Sequence, residues 1–225
     1  FSFSVPPPVS AMTIQEEREL GEKFLQEVKK RWPFIQEVSI NAYVNNVGRR
    51  ILQALGPQPF DYQFFVLNSP EINAFAVPGG KVFLNSGLIL LVDSEDELAG
   101  VIAHEIGHVN GRHAAKQISQ QMAANIGIAL VVRGNTAQNI AALASDLLSL
   151  SYSRDDEYDS DRRALSYTFK AGYDPRGIIR FFKVLETLEK KGGGGPEFLR
   201  THPVTKARVE RAEKIIEQQD YRYGK

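Results

Sequence analysis

Apolar residues recur at three- and four-residue steps along much of this chain, which is the pattern of amphipathic helices. A proline directly after Asp174 is typical of a first helical turn, and Pro203 is expected to begin the last helix. The predicted helices, apart from two that carry candidate chemistry, cover residues 14–30, 40–55, 117–132, 136–150, 174–190 and 203–218.

Three short stretches rich in β-branched and aromatic residues are predicted to be strands: residues 62–67, 72–77 and 81–85. Pro78-Gly79-Gly80 is a turn sequence and should join the last two strands into a hairpin. A flexible loop is expected over residues 192–195, and no internal repeat is present. The prediction is an α+β fold that is mostly helical and has one small sheet.

A further helix is predicted after Ser94, which begins a capping-box sequence. Ser94 should accept a hydrogen bond from the first turn, while Glu97 returns to the Ser94 amide. One face of this helix is apolar, so the helix should be buried. That face consists of Leu98, Val101, Ile102, Ile106 and Val109.

The same helix carries the sequence His104-Glu105-Ile106-Gly107-His108. Two histidines four residues apart lie on one helical face, where both can bind a single zinc ion. Glu105 lies between them and could deprotonate a metal-bound water, which indicates a zinc-dependent hydrolase. The alternative is a chance arrangement in a partly buried helix, so a third protein ligand is needed.

One candidate third ligand follows the long metalloprotease pattern, which requires Gly111 and a histidine at position 114. Gly111 is present but position 114 is Ala114, and the nearest histidine, His113, comes one residue early. No methionine stands at a plausible Met-turn position. We therefore set this class aside and interpret His113 as a surface or second-layer residue with no metal role.

An acidic helix is the other source of a third ligand. Ser153 resembles an N-cap, so a helix should cover residues 154–171 and end at Gly172. Glu157 and Asp161 lie one turn apart on its otherwise apolar face, and buried carboxylates need a positive partner such as zinc. The alternative from charge pattern alone is a solvated acidic stripe balanced by three arginines. These are Arg154, Arg162 and Arg163.

The HEIGH sequence, followed about fifty residues later by Glu157 and Asp161 in an ExxxD pattern, resembles the gluzincin metallopeptidases. That family includes HtpX-type proteases, CAAX prenyl proteases, mitochondrial Oma-type proteases and soluble bacterial periplasmic relatives. The resemblance implies a zincin-like domain with its small sheet beside the HExxH helix. It also implies one zinc ion, with His104, His108 and Glu157 as ligands and Asp161 accepting the free ring N–H of a ligand histidine.

Two further segments match the same family. Asn73, Ala74 and Phe75 begin a strand that resembles the substrate-holding strand, although an ordinary edge or interior strand is the alternative reading. His202-Pro203 followed by Arg208 resembles the family's late segment near the metal. The resemblance implies that His202 stabilises an oxyanion or ligates the metal in a blocked state, and that Arg208 holds that segment against an acid. On residues alone, a histidine before a proline and a helix is more often a cap or loop residue than a catalyst.

Composition narrows the class of partner. The chain has 225 residues with 27 basic and 27 acidic side chains, so its balanced charge gives no reason to expect nucleic acid. No apolar stretch reaches the roughly twenty residues of a membrane span. Peripheral association with a membrane is compatible with this sequence. The absence of cysteine excludes thiolate ligands and disulfides. We expect one metallopeptidase domain over residues 1–225, with an extended segment at 1–12.

The motif predicts a zinc endopeptidase, and the resemblance to the soluble bacterial relatives implies that it acts on unfolded or misassembled polypeptides in quality control of the bacterial envelope. A chain that begins at Phe1 and continues into a run of prolines resembles a mature N-terminus, which favours a periplasmic or otherwise exported protein. One alternative is a latent or chaperone-like domain whose zinc is shielded by the His202 loop or by residues 117–150. A third possibility is a structural domain with a vestigial site.

Overall fold

The computed structural model describes residues 12–124, 151–191, 195–219 and 221. Within these ranges the chain forms nine helices and three strands, numbered here in chain order. The elements are α1 Ile14–Arg31, α2 Val38–Leu55, β1 Gln63–Leu67, β2 Ala74–Val77, β3 Lys81–Asn85, α3 Ser86–Leu91, α4 Glu95–Asn110, α5 His113–Ala124, α6 Arg154–Lys170, α7 Gly177–Lys190, α8 Glu197–Thr201 and α9 Lys206–Gln218.

The three strands form one sheet in the order β1-β3-β2. Strands β2 and β3 pair antiparallel, whereas β1 pairs parallel to β3. Gly79 and Gly80 have φ of 80° and 86°, a region that glycine enters without steric cost, which allows the tight turn between β2 and β3. The predicted hairpin and the mostly helical α+β class are therefore confirmed.

Side chains alternate between the two faces of the sheet along each strand. Both faces are buried, because each belongs to a hydrophobic cluster. Phe64, Val82 and Ala76 belong to the main core, which includes residues of α2 and α4. Phe83 and Phe75 lie on the opposite face, in a second cluster with residues of α1. The sheet thus lies between α1 and the zinc-motif helix α4.

Helix α4 is the centre of the molecule, and its residues from Glu97 to Val109 are all buried. Two glycines let its neighbours approach closely. A Cβ on Gly107 would lie 2.7 Å from Oγ of Ser160 in α6, and one on Gly100 would lie 2.7 Å from the backbone nitrogen of Ile178 in α7. Helix α6 can therefore place its side chains directly against the HExxH motif.

Some predicted boundaries and contacts were wrong. Helix α7 begins at Gly177 rather than at residue 174, because residues 174–177 form a separate turn closed by a bond from the Gly177 amide to the Asp174 carbonyl. The last helix begins at Lys206, where Thr205 provides the cap. Glu97 accepts its capping hydrogen bond from the amide of Asp93 instead of from Ser94.

Two short helices, α3 and α8, were not predicted. Helix α5 begins at His113, four residues before the predicted start, and the remainder of the predicted helices at 117–132 and 136–150 lies outside the described residues beyond Ala124. Across the described ranges, no helix has both the length and the apolar character needed to cross a bilayer.

Candidate metal centre

Helix α4 directs both histidines of the motif to one point. His104 and His108 are buried, and their Nε2 atoms lie 3.0 Å apart. The arrangement follows from helical geometry, since residues four positions apart lie one above the other on the same face. Both ring nitrogens therefore face the same small volume.

Helix α6 contributes Glu157 to the same volume. Ser153 caps this helix by accepting from the Asp156 amide, as its sequence predicted. The Glu157 carboxylate lies 3.4 Å from Nε2 of His108 and 3.5 Å from Nε2 of His104. Two ligand atoms bound to one tetrahedral zinc ion at the usual bond lengths stand about 3.3 Å apart. The three donors thus have the spacing of a zinc site.

His202 is the fourth donor and follows directly after α8. Its Nδ1 lies 2.9 Å from Oε1 of Glu157 and 3.4 Å from Nε2 of His104. The ring is buried and stacks on Phe198, with ring centroids 4.6 Å apart. Among the described residues, His104, His108, Glu157 and His202 form the group whose donor atoms could hold one metal ion.

Asp161 and Arg208 surround these donors. Oδ1 of Asp161 lies 3.0 Å from Nδ1 of His104, the ring nitrogen that faces away from the other donors. Arg208 donates from two nitrogens to Asp161, each at 2.7 Å, and a third contact of 2.6 Å reaches Glu157. Arg208 also donates to the carbonyl of Pro203. The guanidinium therefore ties the segment after His202 to two buried carboxylates.

The electrostatics of the donors are strongly coupled. Burial lowers the pKa of His104, but the adjacent Asp161 and Glu157 carboxylates outweigh it and raise the pKa to about 9. Burial likewise opposes the charged form of Glu157, yet His202 and Arg208 hold the pKa of that carboxyl well below its usual value. Burial lowers the pKa of His108 well below its usual value. Glu157 is thus kept ionised, as a metal ligand must be.

Glu105 has different surroundings. It is fully buried, and neither carboxylate oxygen has a hydrogen-bond partner among the described residues. Burial raises the pKa of Glu105, although His202 and His104 oppose the rise. A buried carboxylate without a partner is costly. Because it lies beside the four donors, a metal with its bound water fits the unmet hydrogen-bonding capacity of Glu105.

This donor set suits zinc. Imidazole nitrogens and one carboxylate are typical ligands of a catalytic zinc ion. Asp161 beside His104 is the kind of outer partner that fixes the tautomer of a ligand histidine. The residues present therefore fit the metal that the sequence predicted.

Three contacts at the site carried no recognisable signal in the sequence. The ring of Tyr152 stacks on His108 with centroids 3.9 Å apart. Ser160 donates a hydrogen bond to the carbonyl of His104. His113 is buried and its ring contacts His108, so of the two predicted positions it lies behind a candidate ligand and not on the surface. A tyrosine before an N-cap and a histidine at an unmatched position belong to no motif.

The predicted substrate residues lie at the edge of the sheet. Ala74 and Phe75 are in β2, an edge strand, and Asn73 directly precedes it. The Phe75 ring stacks on Phe83 in the cluster on the far side from α4, so its side chain points away from the donors. Oδ1 of Asn73 is buried and has no hydrogen-bond partner among the described residues.

The sequence model of Peptidase family M48 matches residues 39–216, a segment that contains every donor of the centre. This chain belongs to peptidase family M48. Its membership confirms the predicted resemblance and, together with the four buried donors, the prediction of zinc as cofactor. Polypeptides are accordingly the substrate class of this family.

Proteins from bacteria and a yeast are similar to most of this chain. This chain is 32% identical over 212 residues to the putative beta-barrel assembly-enhancing protease of Vibrio cholerae. The aligned residues cover 89% of this chain and 44% of that protein. The Escherichia coli beta-barrel assembly-enhancing protease is 29% identical over the same fractions. Mitochondrial metalloendopeptidase OMA1 of Schizosaccharomyces pombe is 31% identical, over 77% of this chain and 52% of that protein. The chain thus spans about half the length of these curated relatives.

Proposed function

We propose that this chain is a zinc endopeptidase in which Glu105 is the general base. The observation that carries the proposal is the position of Glu105 beside His104, His108 and Glu157. Its carboxylate is fully buried and accepts no hydrogen bond among the described residues, and its Oε1 lies 3.6 Å from Nε2 of His202. A structural zinc site needs no such base. The family assignment supports the same reaction class.

When bound, zinc polarises the peptide carbonyl and makes water more acidic. Glu105 takes one proton from the attacking water and delivers it to the leaving amine, so that a peptide bond and water become a carboxylic acid and an amine. Burial raises the pKa of Glu105, which makes its proton easier to hold between the two transfers. Asp161 and Arg208 keep His104 and Glu157 in place during both transfers.

The edge of β2 offers a place for the substrate backbone. The carbonyl of Asn73 accepts from the Asn85 amide, and bonded and non-bonded pairs alternate along an antiparallel ladder. The amide and carbonyl groups of Ala74 and Ala76 therefore point away from β3. We infer that a substrate adds here as a strand beside the metal, held mainly by backbone bonds.

His202 favours a second state in which the site is shielded. Its Nδ1 lies 2.9 Å from Oε1 of Glu157 and the residue is only 1% exposed, so the ring stands among the metal donors, where it could take the place of a substrate carbonyl. In the open state the same imidazole would stabilise the oxyanion. We propose that His202 alternates between these roles. The active peptidase and the latent form that the sequence offered as an alternative would then be two states of one protein.

The names of the relatives support a proposal for the substrate and the compartment. Several relatives are named for enhancing beta-barrel assembly. We propose that this chain acts on unfolded or misassembled proteins in the periplasm, with peripheral association to a membrane. The shared sequence and the absence of a membrane-spanning helix from the described residues are consistent with that location.

Metal content and casein hydrolysis measured on three proteins test the proposal. We expect the wild type to bind one zinc ion and cleave casein, Glu157→Gln to lose most of the zinc, and Glu105→Gln to keep zinc but lose cleavage. If the wild type is zinc-loaded but inactive, activity gained by Pro203→Gly, a fourth protein that loosens the His202 loop and keeps the imidazole, would show the shielded state. A wild type that stays metal-free and inactive after zinc addition would overturn the hydrolase.

A further inference from the structure

The chain turns sharply after the zinc helix in a way that places His113 against it. Helix α4 ends at Asn110, and α5 begins only three residues later. A Cβ on Gly111 would lie 2.2 Å from Nε2 of His113, so only glycine leaves room for this ring. Arg112 adopts φ of 55°, a left-handed conformation that is sterically unfavourable for a non-glycine residue.

Arg112 is held in this conformation by partners distant in sequence. Its guanidinium forms an ion pair with the buried carboxylate of Glu17 at 2.5 Å and donates to the carbonyl of Met12. Helix α1 therefore braces the turn from outside. The result is a fixed path that brings a fourth histidine, His113, next to the metal ligand His108.

The contact between the two rings is direct. Nδ1 of His113 lies 2.9 Å from Nδ1 of His108, and the rings are nearly perpendicular at 81°. Nε2 of His108 is the nitrogen that faces His104 and Glu157. When Nε2 binds a metal, the remaining proton of the neutral ring must be on Nδ1. His108 is then the donor of this bond, and Nδ1 of His113 is the acceptor.

The tautomer of His113 follows from that contact. With Nδ1 accepting, its proton lies on Nε2, which is 3.4 Å from Asp159 and 3.8 Å from Asp156. Both acids are on α6, the helix that supplies Glu157. Arg163 donates to the same Asp159 oxygen at 2.6 Å, which keeps that carboxylate in place.

We propose that His113 is a positioning residue for the metal ligand His108, and that the series His108, His113, Asp159 does for one ligand what Asp161 does alone for His104. A fixed acceptor on Nδ1 sets the tautomer and orientation of a ligand histidine and increases its basicity. The inference rests on the proposed zinc site. It concerns metal affinity and not cleavage, so it can stand or fail independently of the peptidase activity.

The competing explanation is that His113 only fills space between α4, α5 and α6. It is 5% exposed and lies 6.3 Å from the Tyr152 ring, so an aromatic side chain of similar size would pack equally well. The two explanations differ in what a phenylalanine would do. Phenylalanine fills the volume but cannot accept the proton of His108.

The test is the zinc dissociation constant of the full chain, measured by competition with a chromogenic chelator, for wild type, His113→Phe and His113→Asn. We expect His113→Phe to weaken zinc binding by about 10- to 100-fold. The asparagine amide oxygen can take the place of Nδ1, so His113→Asn should recover most of the affinity. Thermal unfolding of the metal-free proteins should show equal midpoints for the two variants.

Equal zinc affinity of wild type and His113→Phe, or equal loss in both variants, would overturn the proposal. A second pair of variants covers the case in which His113→Phe does not fold. Asp159→Leu removes the acidic partner of His113 and leaves no acceptor in its place, so it should weaken zinc binding several-fold. Arg162→Gln removes only an exposed partner of Asp159 and should leave the affinity unchanged. Identical affinities in this pair would also contradict the role of His113.

Discussion

Glu105 and Glu157 are both buried carboxylates, yet their surroundings shift their pKa values in opposite directions. Burial without a partner raises the pKa of Glu105, whereas His202 and Arg208 lower that of Glu157. A pair of acids with separated pKa values can divide the chemical work. Here the separation suits one acid to carry a proton and the other to bind metal.

The raised pKa of His104 leads to a prediction for zinc binding. Because the pKa is about 9 in the metal-free chain, the imidazole is protonated at neutral pH and must lose the proton on Nε2 to bind zinc. Below pH 9, we expect zinc binding to release about one proton per ion from this ring. The zinc affinity should therefore fall about tenfold for each unit by which the pH is lowered. Calorimetry in buffers of different ionisation enthalpy measures the release.

If the heat of binding does not depend on the buffer, His104 is already neutral and this prediction fails. The Asp161→Asn variant provides a control, because it removes the carboxylate at 3.0 Å that raises the pKa. That variant should release fewer protons at the same pH.

Arg208 is expected to contribute strongly to stability. Its guanidinium is buried and contacts both Asp161 and Glu157, so Arg208→Met would leave two buried carboxylates without their cation. Removal of one partner from a buried ion pair costs about 3–5 kcal/mol. We expect a loss of this size in the free energy of unfolding of the metal-free protein, measured with urea.

A matched control is Arg211→Met on the same helix. Arg211 is exposed and lies over the ring of Tyr158, so its loss should cost less than about 1 kcal/mol. Similar losses in both variants would contradict a special role for Arg208.

Helices α4 and α6 share one close contact on which the geometry of the site depends. Gly107 and Ser160 meet there, and the metal ligands lie within one turn on either side. Ser160 also donates to the His104 carbonyl, so a polar bond is added to the packing. The separation of the two helices therefore determines the distance between the histidines and Glu157.

Gly107→Ala should change that separation. The new Cβ would lie 2.7 Å from Oγ and 3.0 Å from the carbonyl oxygen of Ser160, and the carbonyl belongs to the backbone and cannot rotate away. Overpacking of this kind costs about 1–3 kcal/mol. We expect a lower unfolding free energy and a weaker zinc affinity together.

Ser160→Ala is the control for this variant. It removes the hydrogen bond to His104 without moving the helices, so zinc affinity should change much less than in Gly107→Ala. The packing explanation fails if the alanine at position 107 leaves zinc binding intact.

Elements with a local signal were predictable from the sequence, and those that depend on tertiary contacts were not. Ser94 and Ser153 mark both metal-binding helices correctly because capping is local. Helix α8 has five residues, too few for a periodic pattern, although it places His202. The contact of His113 with His108 depends on the positive φ of Arg112, which no propensity scale indicates.

At the level of the whole molecule, the metal centre and the hydrophobic core occupy the same volume. Helix α4 packs against α6 and α7 in the main core while it carries the ligands. Three buried carboxylates, those of Glu105, Glu157 and Asp161, meet there. The folded chain therefore needs the positive charge of zinc more than a surface site would.

Removal of the metal should accordingly lower thermal stability. A ligand that binds only the folded state at 1,000 times its dissociation constant adds about 4 kcal/mol. For a chain of this size that corresponds to about 10 °C in Tm. We expect chelator treatment to lower Tm by this amount and added zinc to restore it, as measured by calorimetry. An unchanged Tm would show that the core does not depend on the ion.

His202 has one more consequence. In the proposed shielded state, the His202 imidazole, which lies 2.9 Å from Glu157, would be a tethered competitor for the metal, with a fixed effective concentration that dilution cannot reduce. Every molecule that binds the ion, whether a peptide or a hydroxamate inhibitor, would then compete with this same ring. We expect the apparent affinities of all such molecules to be weakened by one common factor, and a looser His202 loop to raise them together without altering their order.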